Sequence, residues 1–219
     1  VKQPKHTLAV SLDDWPQWHR GIRQYAVWCL PVNDPQWLAF IDQAQTQLSP
    51  WLHPGYARQP HITLFAAGLV DKNHYSADMQ AAQIQSLELY SLSPVLLTAS
   101  CLSTFSTAPW LGIEDVNNQL ESLRSLISKG VAEDSPAQQY QPHITLGFYR
   151  DSYPLADLTQ RFEQLQQLAA KLPTLEITEL HLCYYNTQEI QGPLLIQHAI
   201  TLNPEEDTTS AGTQLQQPL

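Results

Sequence analysis

Apolar and polar positions alternate along the chain in short, well-punctuated stretches. "YAVWCLPV" at 25–32 is an apolar run closed by proline, which predicts a buried strand. Trp37, Phe40, Ile41, Ala44 and Leu48 then recur at helical spacing over 35–52, with Asn33 or Asp34 as N-cap. "HPGYARQP" is a Pro/Gly loop, and "HITLFAAGL" after it reads as a strand. A helix is predicted through "SADMQAAQIQSLELY", followed by two strands, "PVLLTASCL" and "APWLGIE", joined by "STFST". In "NNQLESLRSLISKG", Leu120, Leu123, Leu126 and Ile127 line one helical face and Gly130 marks the stop. "HITLGFY" is again strand-like. A helix over 155–172 carries Leu158, Phe162, Leu165 and Leu168 on one face, its glutamines reading as a solvated face. "LEITELHLCYY" and "GPLLIQHAITL" read as two closing strands, with "NTQEIQ" as a hairpin loop.

This order predicts an α+β fold in which each half contributes one HIT strand, a pseudo-two-fold pair of lobes around a shared cleft. Residues 1–24 stand outside the pattern as an N-terminal extension, 25–202 form the domain, and the polar tail 203–219 is expected to be disordered.

Composition narrows the function. A hydrophobic content of 43% with six Trp and nine Tyr describes a folded domain. The net charge of −10 argues against a protein that coats long nucleic acid, though not against a pocket for one nucleotide. Three scattered cysteines without metal-like spacing, no signal-peptide pattern and no apolar stretch near the ~20 residues of a membrane span lead us to expect a cytoplasmic protein, a monomer without membrane partners. The remaining histidines show no metal spacing, and there is no P-loop, G-x-G-x-x-G, G-x-S-x-G or nucleotidyl-transfer K-x-x-G motif. No metal and no cofactor are therefore expected.

One six-residue phrase occurs twice: "QPHITL" fills both 59–64 and 141–146. On a strand, residues i and i+2 share a face. His61 and Thr63 therefore project together while Ile62 and Leu64 anchor the strand, and His143 and Thr145 do so over Ile144 and Leu146. Pro60 and Pro142 bias the residue before each toward extended backbone. Two facing strands would present two imidazoles and two hydroxyls. A neutral ring can take a proton from a nucleophile while a charged one gives a proton to the leaving oxygen, and the hydroxyls can bond to non-bridging phosphate oxygens. That set suits displacement at a phosphodiester, with a bell-shaped pH dependence between roughly pH 5 and 8. A single H-I-T is usually structural, but duplication alone would preserve Ile and Leu before His and Thr.

The paired H-h-[S/T]-h motifs, His61-Ile62-Thr63-Leu64 and His143-Ile144-Thr145-Leu146, resemble those of the two-histidine (2H) phosphoesterase superfamily, which includes 2′-5′ RNA ligase-like proteins and cyclic nucleotide phosphodiesterases. The resemblance covers roughly residues 25–202 and extends to "APWLGIE" with the helix after it. It implies a bilobal fold of two antiparallel sheets flanking a central cleft, with helices on the outer faces. It also implies a hydrolase that acts without metal on 2′,3′-cyclic phosphate or 2′-5′ phosphodiester bonds of nucleotides or RNA ends, in RNA processing. His61 and His143 would be general base and acid, in either order, with Thr63 and Thr145 on the phosphate. Around them, Phe65 and Tyr149 share the histidine faces by alternation and either stack on a base or simply pack, Phe148 being core. Arg58 and Arg150 flank the motifs as phosphate contacts or solvated side chains. "DDWPQWHRGIRQY" is either a Trp-anchored packing arm or a cation-bearing segment over the cleft. The alternative to catalysis is a nucleotide- or RNA-end-binding module that keeps the cleft without turnover.

Overall fold

Burial of both faces of the first long strand organises everything around it. The computed structural model describes residues 5–203 apart from 135, 137 and 138, so most of the tail lies outside the described residues. The chain forms a helical turn, α1 (Pro16–His19), then β1 (Gln24–Pro31), α2 (Pro35–Leu48), β2 (His61–Leu69), α3 (Ala77–Glu88), β3 (Val95–Thr104) and β4 (Pro109–Asp115). α4 (Gln119–Ile127), β5 (His143–Thr145), α5 (Ala156–Ala169), β6 (Leu175–Ile177), β7 (Glu179–Asn186) and β8 (Leu195–Thr201) complete it.

Two four-stranded antiparallel sheets result, in the orders β2-β1-β7-β8 and β5-β4-β3-β6. This is the expected bilobal α+β arrangement, and each HIT strand lies at the edge of its own sheet. The main core joins the lobes: Trp28 and Leu30 of β1, Trp37 and Ile41 of α2, Leu111 of β4 and Leu165 of α5 belong to one buried cluster.

Where local chemistry is strong, the predicted elements form as read. Asp34 caps α2, its carboxylate accepting from the backbone N–H groups of Gln36 and Trp37, with Pro35 at the first helical position. Replacing Asp34 by alanine should therefore cost about 0.5–2 kcal/mol in denaturant unfolding. An unchanged midpoint would show that the cap contributes nothing.

Three readings are corrected. "LEITELHLCYY" is not one strand: β6 pairs with β3 in the second sheet, and β7 with β1 in the first, so the run crosses between lobes at Thr178. "HITLGFY" keeps strand geometry only through Thr145, because Gly147 at φ +145 turns the backbone where a side chain would also meet Leu52. The glutamines of α5 are not all a solvated face. Gln166 donates to the Ser100 carbonyl and accepts from the Leu102 N–H, filling the bulge where β3 departs from β4.

Candidate active site

Edge strands leave one row of backbone groups unpaired, and β2 has its row filled by the opposite half of the chain. The Tyr140 hydroxyl donates to the Thr63 carbonyl at 3.0 Å, the Arg124 guanidinium donates to the Leu64 carbonyl, and the Asp134 N–H donates to the Ala66 carbonyl at 2.8 Å. Arg124 is itself paired with Glu133 at 2.9 Å and lies over the Tyr140 ring. The strand carrying His61 and Thr63 is thus fixed from both sides. β5 is held by β4 in the register Gly112↔His143 and Trp110↔Thr145, and β2 lies against β5 across the lobe boundary.

The two hexamers set their rings identically. Nδ1 of His61 bonds to the Gln59 carbonyl at 2.7 Å, and Nδ1 of His143 to the Gln141 carbonyl at 2.7 Å. A carbonyl only accepts, so Nδ1 is the protonated nitrogen of each neutral ring and Nε2 is the free base. This accounts for the Gln-Pro that precedes each histidine: the proline holds the extended backbone that returns the glutamine carbonyl to its own motif's ring. His61, Thr63, His143 and Thr145 are all half-buried, and neither threonine hydroxyl has a partner among the described residues.

The surroundings of the two rings differ. Burial pushes His61 down to about 4, with further lowering from the charges of Arg58 and His143 against the opposing Gln59 bond. Burial also lowers His143, where only the Gln141 bond opposes it. Opposite His61 stands Pro31, and opposite Thr63 is Cys29. Opposite His143 stands Gly112, where an added Cβ would come within 2.9 Å of the Trp110 ring. The missing side chain lets that ring lie beside His143, at 5.8 Å between centroids. Phe105 stacks on Trp110 at 5.2 Å and meets His143 edge-on at 5.0 Å. One ring sits in a cationic setting and the other in an aromatic one.

A sequence model of the 2′-5′ RNA ligase superfamily matches residues 32–189, a span that holds both motifs. The chain belongs to that superfamily. Solved structures share the fold of this 2′-5′ RNA ligase superfamily member at low identity. A conserved protein of unknown function from Agrobacterium tumefaciens is 11% identical, with a TM-score of 0.58 over 83% of this chain and 87% of that one. TT0787 of Thermus thermophilus is 12% identical, with a TM-score of 0.54 over 83% and 100%. E. coli LigT complexed with NADP+ is 17% identical, with a TM-score of 0.51 over 82% and 98%. A search of curated protein sequences found no match.

The other residues expected at the site of this superfamily member divide sharply. Phe65 is 1% exposed and packs in the main core. A bulge at Leu64, between the pairs Cys29↔Thr63 and Trp28↔Phe65, inverts the alternation after Thr63, so Phe65 leaves the histidine face. Tyr149 is fully buried beneath the site, its hydroxyl bonded to Thr104 at 2.8 Å, because the turn at Gly147 ends the alternation. By the same turn Phe148, expected in the core, lines a cavity instead and meets Tyr56 edge-on. Arg150 is exposed and bonds to the Pro50 carbonyl and the Tyr153 hydroxyl, outside the cavity lining. Arg58 is the flanking cation that reaches the site: it lines the cavity and its charge acts on His61.

Two further residues at the site, Phe105 and Trp110, lie beyond the reach of local sequence patterns. Phe105 sat in a connector, and Trp110 in a strand whose pairing with β5 no local pattern reveals. The single aromatic inside the polar connector "STFST" is the available signal. Among the described residues no helix is long and apolar enough to cross a membrane, and no group of three or more His, Cys, Asp or Glu is placed to hold a metal ion.

Proposed function

We propose that this protein is a metal-independent phosphoesterase acting on 2′,3′-cyclic phosphate or 2′-5′ phosphodiester bonds of nucleotides or RNA ends. The observation that carries this reading is the matched pair of Nδ1–carbonyl bonds, which leaves two Nε2 atoms free on adjoining strands. Thr63 and Thr145 offer two hydroxyls to non-bridging phosphate oxygens, where negative charge grows in the transition state.

The unequal surroundings of the rings assign their roles within the proposal. Burial, and with it the Arg58 charge, disfavours a second proton on His61, which makes His61 the ring kept neutral and therefore the general base. His143, free of that cation, serves as the general acid. In ring opening, His61 Nε2 takes a proton from water as its oxygen bonds to phosphorus. The bond from phosphorus to the leaving ribose oxygen breaks, and His143 Nε2–H protonates that oxygen. His61 then releases its proton to solvent and His143 takes one up, which resets the pair. Phe105, 39% exposed beside His143, offers a face on which a base can stack.

The pH dependence follows with a definite sign. Activity of the free enzyme needs His61 deprotonated and His143 protonated. The rising limb of kcat/KM then lies near pH 4, from His61, and the falling limb lies below the ordinary histidine value of 6.5, from the lowered His143. The optimum of kcat/KM is therefore expected on the acid side of neutrality, lower than composition alone implies. The optimum of kcat should lie higher, because a bound phosphate anion favours imidazolium.

A product assay tests the whole reading, using 2′,3′-cyclic nucleotides, 2′-5′ dinucleotides and ADP-ribose 1″,2″-cyclic phosphate, each with and without a chelator. Turnover of at least one substrate, insensitive to the chelator, is expected. Saturable binding of a nucleotide 2′-phosphate without product from any of them would identify a binding module instead.

A further inference from the structure

The N-terminal arm is built into the molecule. The Thr7 N–H donates to the Tyr153 carbonyl, the Leu8 N–H to the Ser106 carbonyl and the Val10 N–H to the Tyr149 carbonyl, while the His53 ring donates back to the Val10 carbonyl. Further on, Asp14 accepts from the buried His19 at 2.6 Å and from Gln188 at 2.9 Å, holding α1 against the β7–β8 connection. These bonds run along the loops that carry Phe105 and follow Thr145. The arm therefore walls a cavity of about 420 Å³, inside the ~300–1,000 Å³ range of small-molecule sites.

The chemistry of the cavity is aromatic and cationic. Trp15, Trp18, Phe148 and Tyr185 line it, with Arg58. Arg58 lies over the Tyr185 ring at 4.3 Å and donates from Nε to the Gly192 carbonyl at 3.2 Å, yet its buried Nη2 has no partner among the described residues. A buried guanidinium nitrogen left unpaired is costly, and the group that satisfies it best is an anion. Trp18, Tyr25 and Tyr185 follow one another at 5.7 and 5.3 Å, a ladder that fixes the plane beneath Arg58. Trp15 is 54% exposed, so its ring at the cavity wall is open to solvent. Asp13, the one carboxylate in the lining among the described residues, accepts from the Ser11 hydroxyl and stands ready to accept from a sugar hydroxyl.

We propose that this cavity binds a nucleotide unit of the substrate beyond the scissile phosphate, its base on the Trp15, Trp18 and Phe148 rings and its phosphate on Arg58 Nη2. This rests on the phosphoesterase reading for the identity of the ligand. The cavity adjoins both motifs in sequence, Arg58 standing three residues before His61 and Phe148 three after Thr145. A substrate that ends at the histidine pair and continues into the cavity is thus at least a dinucleotide or an RNA terminus.

The test is equilibrium binding, which needs no turnover. Calorimetric titrations of the full chain with adenosine 5′-monophosphate, adenosine and inorganic phosphate should rank the monophosphate tightest. Trp15→Ala, at an exposed position, should weaken the monophosphate at least about fivefold, the lower end of base–aromatic stacking. Arg58→Met should reduce its affinity to that of adenosine, while Arg58→Lys keeps part of the difference. His143→Ala should change it less than about twofold. The proposal is overturned if Trp15→Ala binds the monophosphate as the wild type does, or if His143→Ala abolishes binding, which would place the ligand at the histidines. Either result leaves the product assay free to support catalysis, and a failed product assay leaves the cavity test intact.

Discussion

Replacing His143 by alanine is expected to lower kcat on a 2′,3′-cyclic nucleotide by about 10²–10⁴-fold, the usual contribution of a positioned acid or base. Its ring is half-buried and tied to the backbone by one bond, so the variant should fold with little change in stability. His61→Ala should cost a similar factor, for the same reason. The two variants are told apart by pH. Loss of His143 removes the acid and with it the alkaline limb of the residual rate, while loss of His61 removes the base and the acid limb. Full activity in either variant would sink the two-histidine mechanism. An intact bell in both would leave the acid–base pair elsewhere.

The second large effect is on stability. Gln83 is fully buried, and its amide joins three elements: Oε1 accepts from Trp28 Nε1 at 2.8 Å and from the Tyr75 hydroxyl at 2.7 Å, while Nε2 donates to the Ile127 carbonyl at 2.8 Å. Gln83→Leu keeps the volume but leaves two donors and one acceptor buried without partners, at about 1–3 kcal/mol each. We expect a loss of at least about 3 kcal/mol, which for a protein of this size lowers Tm by roughly 6–12 °C in calorimetry. A change under about 1 kcal/mol would mean that the network adds no net stability. No periodicity marks this residue, since it is one of many glutamines on helices that read as polar.

Both HIT motifs are legible because the proposed chemistry uses an imidazole and a hydroxyl two residues apart, and a strand places such residues on one face. Their Gln-Pro prefixes are now explained by the carbonyl that each glutamine returns to its histidine. Phe65 and Tyr149 were read on the correct rule of alternation and still fell in the core, because one bulge and one glycine turn each broke the count. Alternation carries no record of where it stops. Phe105 and Trp110 reach His143 only through the pairing of β4 with β5, and the arm reaches the cavity only through bonds to segments more than 40 residues away.

Local sequence therefore settles what local forces decide: the apolar runs that become strands, the helical stripes, the Asp34 cap, and two identical motifs that each present an imidazole and a hydroxyl. Tertiary structure alone decides that the halves are unequal. Two identical hexamers cannot differ by themselves. The difference lies outside the hexamers, in burial and Arg58, just before the first copy, acting on His61, and in the Phe105–Trp110 pair that the fold brings against His143. Electrostatic and desolvation effects on a titrating ring depend on distance in space, so only the folded chain can set the two rings apart.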